Sequence, residues 1–337
     1  MAGITFSEAS GVADSIYGKS QAPIRQIIEK RGEILEAESA LPKIFNMQQS
    51  DRWAEKLTTL TAMGSFEPVG ENGAYPVTDM EEGFSKTIEH MSWRQSFSIS
   101  REMIKDSSAV NLKRKPLALV SAAHRTREEF GARMLGAGLQ GNTYFDVAVG
   151  KRKQRFDATA ADGKALFAID HPSKVKGVAQ ANMFDGAFSV DNLAKMETAM
   201  QMFRGDNGEL LDVSPDTILI PNDALLKKAV FEAIGADKDP ATANNGFNFQ
   251  YGRWNVVVWS YLNQFLGSDT APYILLDSKF NELYNGAVWF DRENLDIRST
   301  LSDENDANVW LAYMRFGAGF NDWRFAAVGG ISGAVAL

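Results

Sequence analysis

Hydrophobic and polar positions change period several times along this chain. From Ala22 to about Phe45 the apolar residues Ile24, Ile27, Ile28, Ile34 and Leu35 fall partly on one helical face, with Glu29-Lys30-Arg31 between them. Gly32 and Pro42 punctuate the run, so two short helices fit it as well as one. The twenty residues ahead of it are small and polar and predict an extended arm.

Residues 50–100 follow another pattern. Trp53, Phe66, Tyr75, Phe84, Ile88, Trp93, Phe97 and Ile99 are spread among polar residues, and Gly64, Gly70, Gly73 and Gly83 interrupt them. Ser85–Ser100 alternates roughly two by two and holds strong strand formers. The segment predicts a long two-stranded excursion turning near Gly70-Glu71-Asn72-Gly73, where Asn and Gly tolerate positive φ. An isolated hairpin is marginal in water. One this poor in core residues needs another surface, such as a neighbouring subunit.

Pro116 suits the first turn of a helix, and a helix-favouring run follows to Gln140, ended by Gly141-Asn142. Gly131, Gly136 and Gly138 each weaken this helix by up to ~1 kcal/mol relative to Ala, unless close packing uses them. Val190, Leu193, Met196, Met200 and Phe203 repeat at helical spacing behind a plausible Ser189 N-cap. Thr217–Ile220 predicts a buried strand, and Asn222–Ile234 a helix. Trp254–Trp259, Tyr273–Leu276, Ala287–Phe290, Val309–Phe316 and Trp323–Val328 predict further strands. This order is α+β, not a doubly wound α/β sheet.

Composition narrows the function. The 337 residues are 45% hydrophobic and 23% charged, enough to bury a real core, and the net charge is −8. That acidity speaks against non-specific nucleic-acid binding by the chain as a whole. The absence of cysteine excludes disulfides, thiolate zinc sites and thiol nucleophiles. His90, His124 and His171 lie too far apart for a local metal-ligand spacing. The N-terminus shows no secretory signal and no apolar run approaches ~18 residues, so synthesis in the cytosol and no membrane span are expected.

Asp170-His171-Pro172-Ser173 is the most enzyme-like cluster, but adjacent side chains point different ways and do not readily build a proton relay. Gly70–Gly73 and Gly205–Gly208 fit no phosphate-binding pattern, and Asp206, Asn207, Glu209 and Asp212 lack calcium-loop spacing. No catalytic, cofactor-binding or metal residue is therefore assigned, and no enzyme is expected.

Charge placement says more. Between Lys113 and Arg155 stand ten Lys and Arg against three acids, a balance of +7 that leaves −15 for the rest of the chain. The stretch is either a solvated face or one that meets an acidic partner. Such a partner is either DNA or the acidic loop of another subunit (Glu67, Glu71, Asp79, Glu81, Glu82), and sparse aromatics for base stacking favour the subunit. The candidate inter-subunit contacts are Phe66, Glu71, Tyr75, Glu81, Glu82, Lys86 and Trp93 on the hairpin. On the basic side they are Arg125, Arg127, Arg133, Lys151, Arg152, Lys153 and Arg155.

At these residues a family resemblance enters. Phe84–Ile88 leading to Phe97–Ile104 resembles the return strand of the E-loop in HK97-fold major capsid proteins of tailed phages. Ala165–Pro172 is similar to a phrase of the Mu-like major head subunit group, as are Thr217–Pro221 and Asn255–Val258. The resemblance covers roughly residues 25–330. It implies an N-terminal arm and helix (1–49), an E-loop (50–105), a P-domain (106–210) with spine helix 116–140, an A-domain (211–295) and C-terminal strands returning to the P-domain (296–337). It further implies self-assembly as hexamers and pentamers into an icosahedral head in the host cytoplasm. DNA would lie non-specifically on the inner face, with scaffolding, portal and decoration proteins as further partners. Only about twenty residues precede the first helix, so no maturation cleavage is expected. Lys86 and Asn321 loosely match a crosslinking pair in some relatives, but no supporting acid is evident, and assembly without covalent links is expected. An encapsulin-like nanocompartment, a tail component and an unrecognised enzyme are the alternatives.

Overall fold

The computed structural model describes residues 21–60, 68–69, 73, 75, 82–100, 109–174, 178–235, 248–266, 271–302 and 307–337. The first apolar run forms α1 (Gln21–Glu38), which continues through Gly32, and α2 (Leu41–Ile44). Pro42 lies in the first turn of α2, where its missing N–H would have no helical partner anyway. Strands β1 (Asn46–Gln49) and β2 (Ala54–Leu60) follow, then β3 (Glu82–Glu89) and β4 (Met91–Ser100). The run expected as one strand therefore breaks at His90. Its first half pairs with β2, and its second half joins a different sheet.

The long helix α3 spans Ala109–Leu139, so it starts seven residues earlier than the sequence suggested, and Pro116 sits inside it. No breaker interrupts Ala109–Lys115, and a proline inside a helix removes only one amide donor when its ring is accommodated. The glycines of α3 mark close approach. A Cβ on Gly131 would stand 2.4 Å from Leu41, and one on Gly136 2.3 Å from the Phe265 ring. These positions let α2 and the 3-10 turn Ser260–Phe265 press onto the helix backbone.

After α3 come the hairpin β5 (Tyr144–Val149) and β6 (Arg152–Asp157), then β7 (Phe184–Asp185) and α4 (Val190–Gln201). Ser189 caps α4 by accepting from the Asn192 amide, as its sequence position predicted. β8 (Thr217–Pro221), α5 (Ala224–Gly235), β9 (Asn255–Trp259), β10 (Tyr273–Leu276) and α6 (Ser278–Tyr284) lead to β11 (Ala287–Ser302) and β12 (Ala307–Phe320). A 3-10 turn at Trp323–Phe325 replaces the start of the last predicted strand; β13 (Ala326–Gly329) and β14 (Val335–Ala336) complete the chain.

Two four-stranded sheets organise the core. The first has the order β1-β11-β12-β4, parallel only between β1 and β11. The second, β13-β10-β8-β9, is parallel only between β8 and β9, and every residue of β8, β10 and β13 is buried. β11 is four times its predicted length because the residues after Phe290 are mostly polar, with only Leu295, Ile297 and Leu301 apolar, and give no apolar run to mark a strand. On one face of the first sheet Trp310, Ala312 and Ile297 pack with Ile28 of α1 and Leu119 and Val120 of α3. On the other face Val288 and Phe290 meet Ile88 and Leu57 of the β2–β3 hairpin.

Candidate assembly surface

The hairpin expected to need support finds some within its own subunit. β2 and β3 pair from Ala54 opposite Glu89 to Leu60 opposite Glu82, with a register shift between Thr58 and Leu60. Beyond Ile88 and Leu57, Lys174 Nζ donates to the carbonyls of Glu82 (2.7 Å) and Gly83 (2.5 Å). Lys86 turns inward, and its Nζ reaches Asp157 Oδ2 at 2.5 Å, Thr159 Oγ1 at 2.5 Å and Thr159 O at 2.9 Å. Burial holds the Lys86 ammonium below the ordinary lysine value. Burial pushes Asp157 up, but hydrogen bonds from Lys86 and Thr159 outweigh it and leave that carboxyl below its ordinary value. With its three donors taken inside the subunit, Lys86 is a seat for the hairpin, not an exposed contact.

Two other candidates are also engaged internally. Trp93 stacks on Phe316 with ring centroids 5.4 Å apart and meets Phe130 edge-on at 5.9 Å. Arg127 forms a two-point ion pair with Asp291 and lies over the Trp289 ring. The sequence assigned both outward because their partners lie far along the chain. Phe66, Glu71 and Glu81 fall outside the described residues. Tyr75, 95% exposed, and Glu82, also exposed, remain on the surface.

The basic stretch divides likewise. Arg125 is exposed on α3, whereas Arg133 is half-buried and its Nη1 donates to the Asp146 carbonyl at 3.4 Å. Lys151, Arg152 and Lys153 crown the β5–β6 hairpin and are exposed. Gly150, at the first central position of its two-residue turn, has φ +62°, which that turn requires. Arg155 lies opposite Asp146, bonds it at 3.1 Å, and covers the Tyr144 ring at 3.8 Å. Lys151, Arg152 and Lys153 form no ion pair among the described residues, so the tip projects a charge of +3.

The enzyme-like cluster disperses. Asp170 pairs with Lys164 at 2.6 Å, and Ser173 Oγ donates to the Asp206 carbonyl. His171 is buried against Asp162 (2.6 Å) and Asn182 (3.1 Å) and stacks on Trp323 at 4.2 Å. Both ring nitrogens are thus occupied by Asp162 and Asn182, and the ring face holds the loop against Trp323 of the 3-10 turn. Among the described residues no group of three potential metal ligands converges.

The sequence profile of a phage capsid protein family matches residues 85–329, well over half of the chain. This protein belongs to the phage capsid protein family. It is accordingly a structural protein, a phage major capsid protein whose place is the capsid shell of the virion. No curated protein matches the chain. Among solved structures, one from Mycobacterium phage Patience is 13% identical over 99% of this chain and 94% of that one, with a TM-score of 0.51. The capsid of Cyanophage P-SCSP1u is 9% identical, covering 89% of this capsid protein and 88% of the other chain, with a TM-score of 0.52. At these identities the likeness is one of fold, and the fold is the HK97 type.

Proposed function

We propose that this capsid protein closes into an icosahedral head as hexamers and pentamers, held by non-covalent contacts and enclosing double-stranded DNA. The observation carrying this reading is a pair of oppositely charged segments. Glu67, Glu71, Asp79, Glu81 and Glu82 stand between Leu60 and Gly83 with no Lys or Arg among them. Among the described residues the tip Lys151-Arg152-Lys153 has no acid of its own subunit in an ion pair. In a monomer each segment is surplus charge; between copies they neutralise one another. The hairpin then serves as an E-loop over a neighbour, the first sheet with α3 as the P-domain and the second sheet as the A-domain. The basic α3 region faces the packaged DNA, and scaffolding, portal and decoration proteins join during assembly in the host cytoplasm.

Expression of the chain followed by sedimentation and negative-stain microscopy tests this. Closed shells, or capsomers that close on addition of a scaffold, are expected. A small soluble oligomer under all conditions overturns the reading.

A further inference from the structure

The outer face of the first sheet holds a charge pattern that its own subunit leaves unbalanced. Past Val288 and Phe290 on β11, and past Gly319 and Gly317 on β12, the next side chains on this face are Arg292 and Arg315. A bulge between Asp291 and Glu293 leaves Arg292 as an extra residue beside the Glu293–Arg315 pair, and the charges of both arginines act on the His90 imidazole. Two like charges gathered on one face of a sheet repel one another. Both side chains are half-buried, and Arg292 Nη1 and Arg315 Nε are shielded from solvent without a hydrogen-bond partner. Buried donors of this kind are rare in folded proteins because leaving them unpaired is costly.

The acids nearby are committed elsewhere. Asp291 holds Arg127, and Glu55 accepts from Ser50 and lies 3.6 Å from Arg52. Glu293, in register with Arg315, is exposed and forms no ion pair with either arginine. His90 closes the group from the hairpin side. It is 7% exposed, its Nδ1 also lacks a partner, and a Cβ on Gly317 would stand 3.2 Å from that atom. Burial, then Arg315 and Arg292, hold its imidazole below the ordinary histidine value. The cluster has donors to spare, and no acid among the described residues bonds them.

We propose that Arg292 and Arg315 form a receptor for a carboxylate side chain supplied by a second copy of this chain. The proposal rests on the shell reading above. A carboxylate presents two oxygens to the guanidinium fork, the geometry arginine binds best. Each copy brings Glu67, Glu71, Asp79 and Glu81 between Leu60 and Glu82 with no cation to compete for them. The two arginines also lie on the face opposite α3, away from the basic region assigned to DNA. A carboxylate seated there ties a neighbour to the foot of the β2–β3 hairpin, where His90 joins β3 to β4.

The test compares wild type with the Arg292→Gln/Arg315→Gln and Arg292→Lys/Arg315→Lys variants. Dissociated subunits are melted, and assembly is read by sedimentation and electron microscopy. The Gln variant is expected to melt at or above the wild-type temperature, since the like-charge pair is gone, yet to give at least tenfold fewer closed shells. The Lys variant is expected to fall between the two. A Gln variant that assembles like wild type overturns the proposal. So does one that melts well below it, because the arginines would then be satisfied within the subunit. Normal shell numbers with less nuclease-protected DNA would assign the arginines to phosphate and overturn it as well. Wild-type protein that forms no shells would instead sink the shell reading itself.

Discussion

Arg127 on α3 and Asp291 on β11 face each other squarely, Nη1 on Oδ1 at 2.6 Å and Nη2 on Oδ2 at 2.9 Å. Trp289 Nε1 also donates to Asp291 Oδ1, and the guanidinium lies 5.1 Å from the Trp289 ring centroid. The pair therefore fixes the long helix against the first sheet at a site closed to most solvent. Removing one partner leaves the other charge buried and unpaired, which costs about 3–5 kcal/mol. Asp291→Ala is expected near that range and Arg127→Lys well short of it, because a lysine keeps the charge but not the fork. Urea unfolding of dissociated subunits measures both. Equal losses would show that the two-point geometry carries the pair and that a retained charge alone recovers nothing.

Gly136 and Phe265 give a second handle. The ring fills the space a Cβ would need, so Gly136→Ala forces a shift at a buried contact. Overpacking of this kind costs about 1–3 kcal/mol, more than the ~1 kcal/mol that alanine gains in helix propensity. The variant is expected to be destabilised, and the double variant with Phe265→Leu to recover most of the loss. A Gly136→Ala protein more stable than wild type would show that the glycine is not used for packing.

Such contacts explain which features were readable in the sequence. α4, β8 and β10 were legible because their signals are local: helical spacing behind Ser189, and short apolar runs next to turn residues. The glycines of α3 were legible only as a conditional, since Leu41 and Phe265 lie about a hundred residues away on either side. Lys86 and Arg127 read as surface charges because Asp157 and Asp291 are 71 and 164 residues distant. The break at His90 was hidden for the same reason. Alternation continues across it, and only the change of pairing partner from β2 to β12 reveals two strands. Arg292 and Arg315 carry no local signal whatever, because a bulge in a long strand pair brings them together.

His90 makes the joint between hairpin and sheet sensitive to acid. Ser50 Oγ donates to Glu55 Oε1 at 2.7 Å, so His90 Nε2 donates to Ser50 Oγ and Nδ1 carries no hydrogen. Burial and the nearby Arg315 and Arg292 hold the folded imidazole below its ordinary value, while the unfolded chain takes up a proton near ~6.5. Below that pH the unfolded state binds more protons than the folded one. This contribution to stability is therefore complete above ~6.5 and is lost as pH falls through it. Melting temperature is expected to drop between pH 7.5 and 5.5 in wild type, and less in His90→Gln. Parallel pH profiles for the two proteins would remove His90 as the cause.

Lys151, Arg152 and Lys153 separate assembly from folding. All three are exposed on the β5–β6 hairpin, and none is in an ion pair among the described residues. Replacing them together by alanine should leave the melting temperature of dissociated subunits unchanged, since exposed side chains away from packed features contribute little. The same change removes the cationic half of the proposed contact with the acidic hairpin. Exposed charges attract over about a Debye length, ~10 Å at 0.1 M salt and ~3 Å at 1 M. Wild-type assembly should therefore weaken steeply as salt is raised, and the triple variant should assemble at least tenfold less at low salt with a nearly flat salt dependence. Light scattering across a salt series reads both at once. A variant that keeps the wild-type slope would place the salt-sensitive contact elsewhere, with Arg125 on α3 as the next exposed cation to replace.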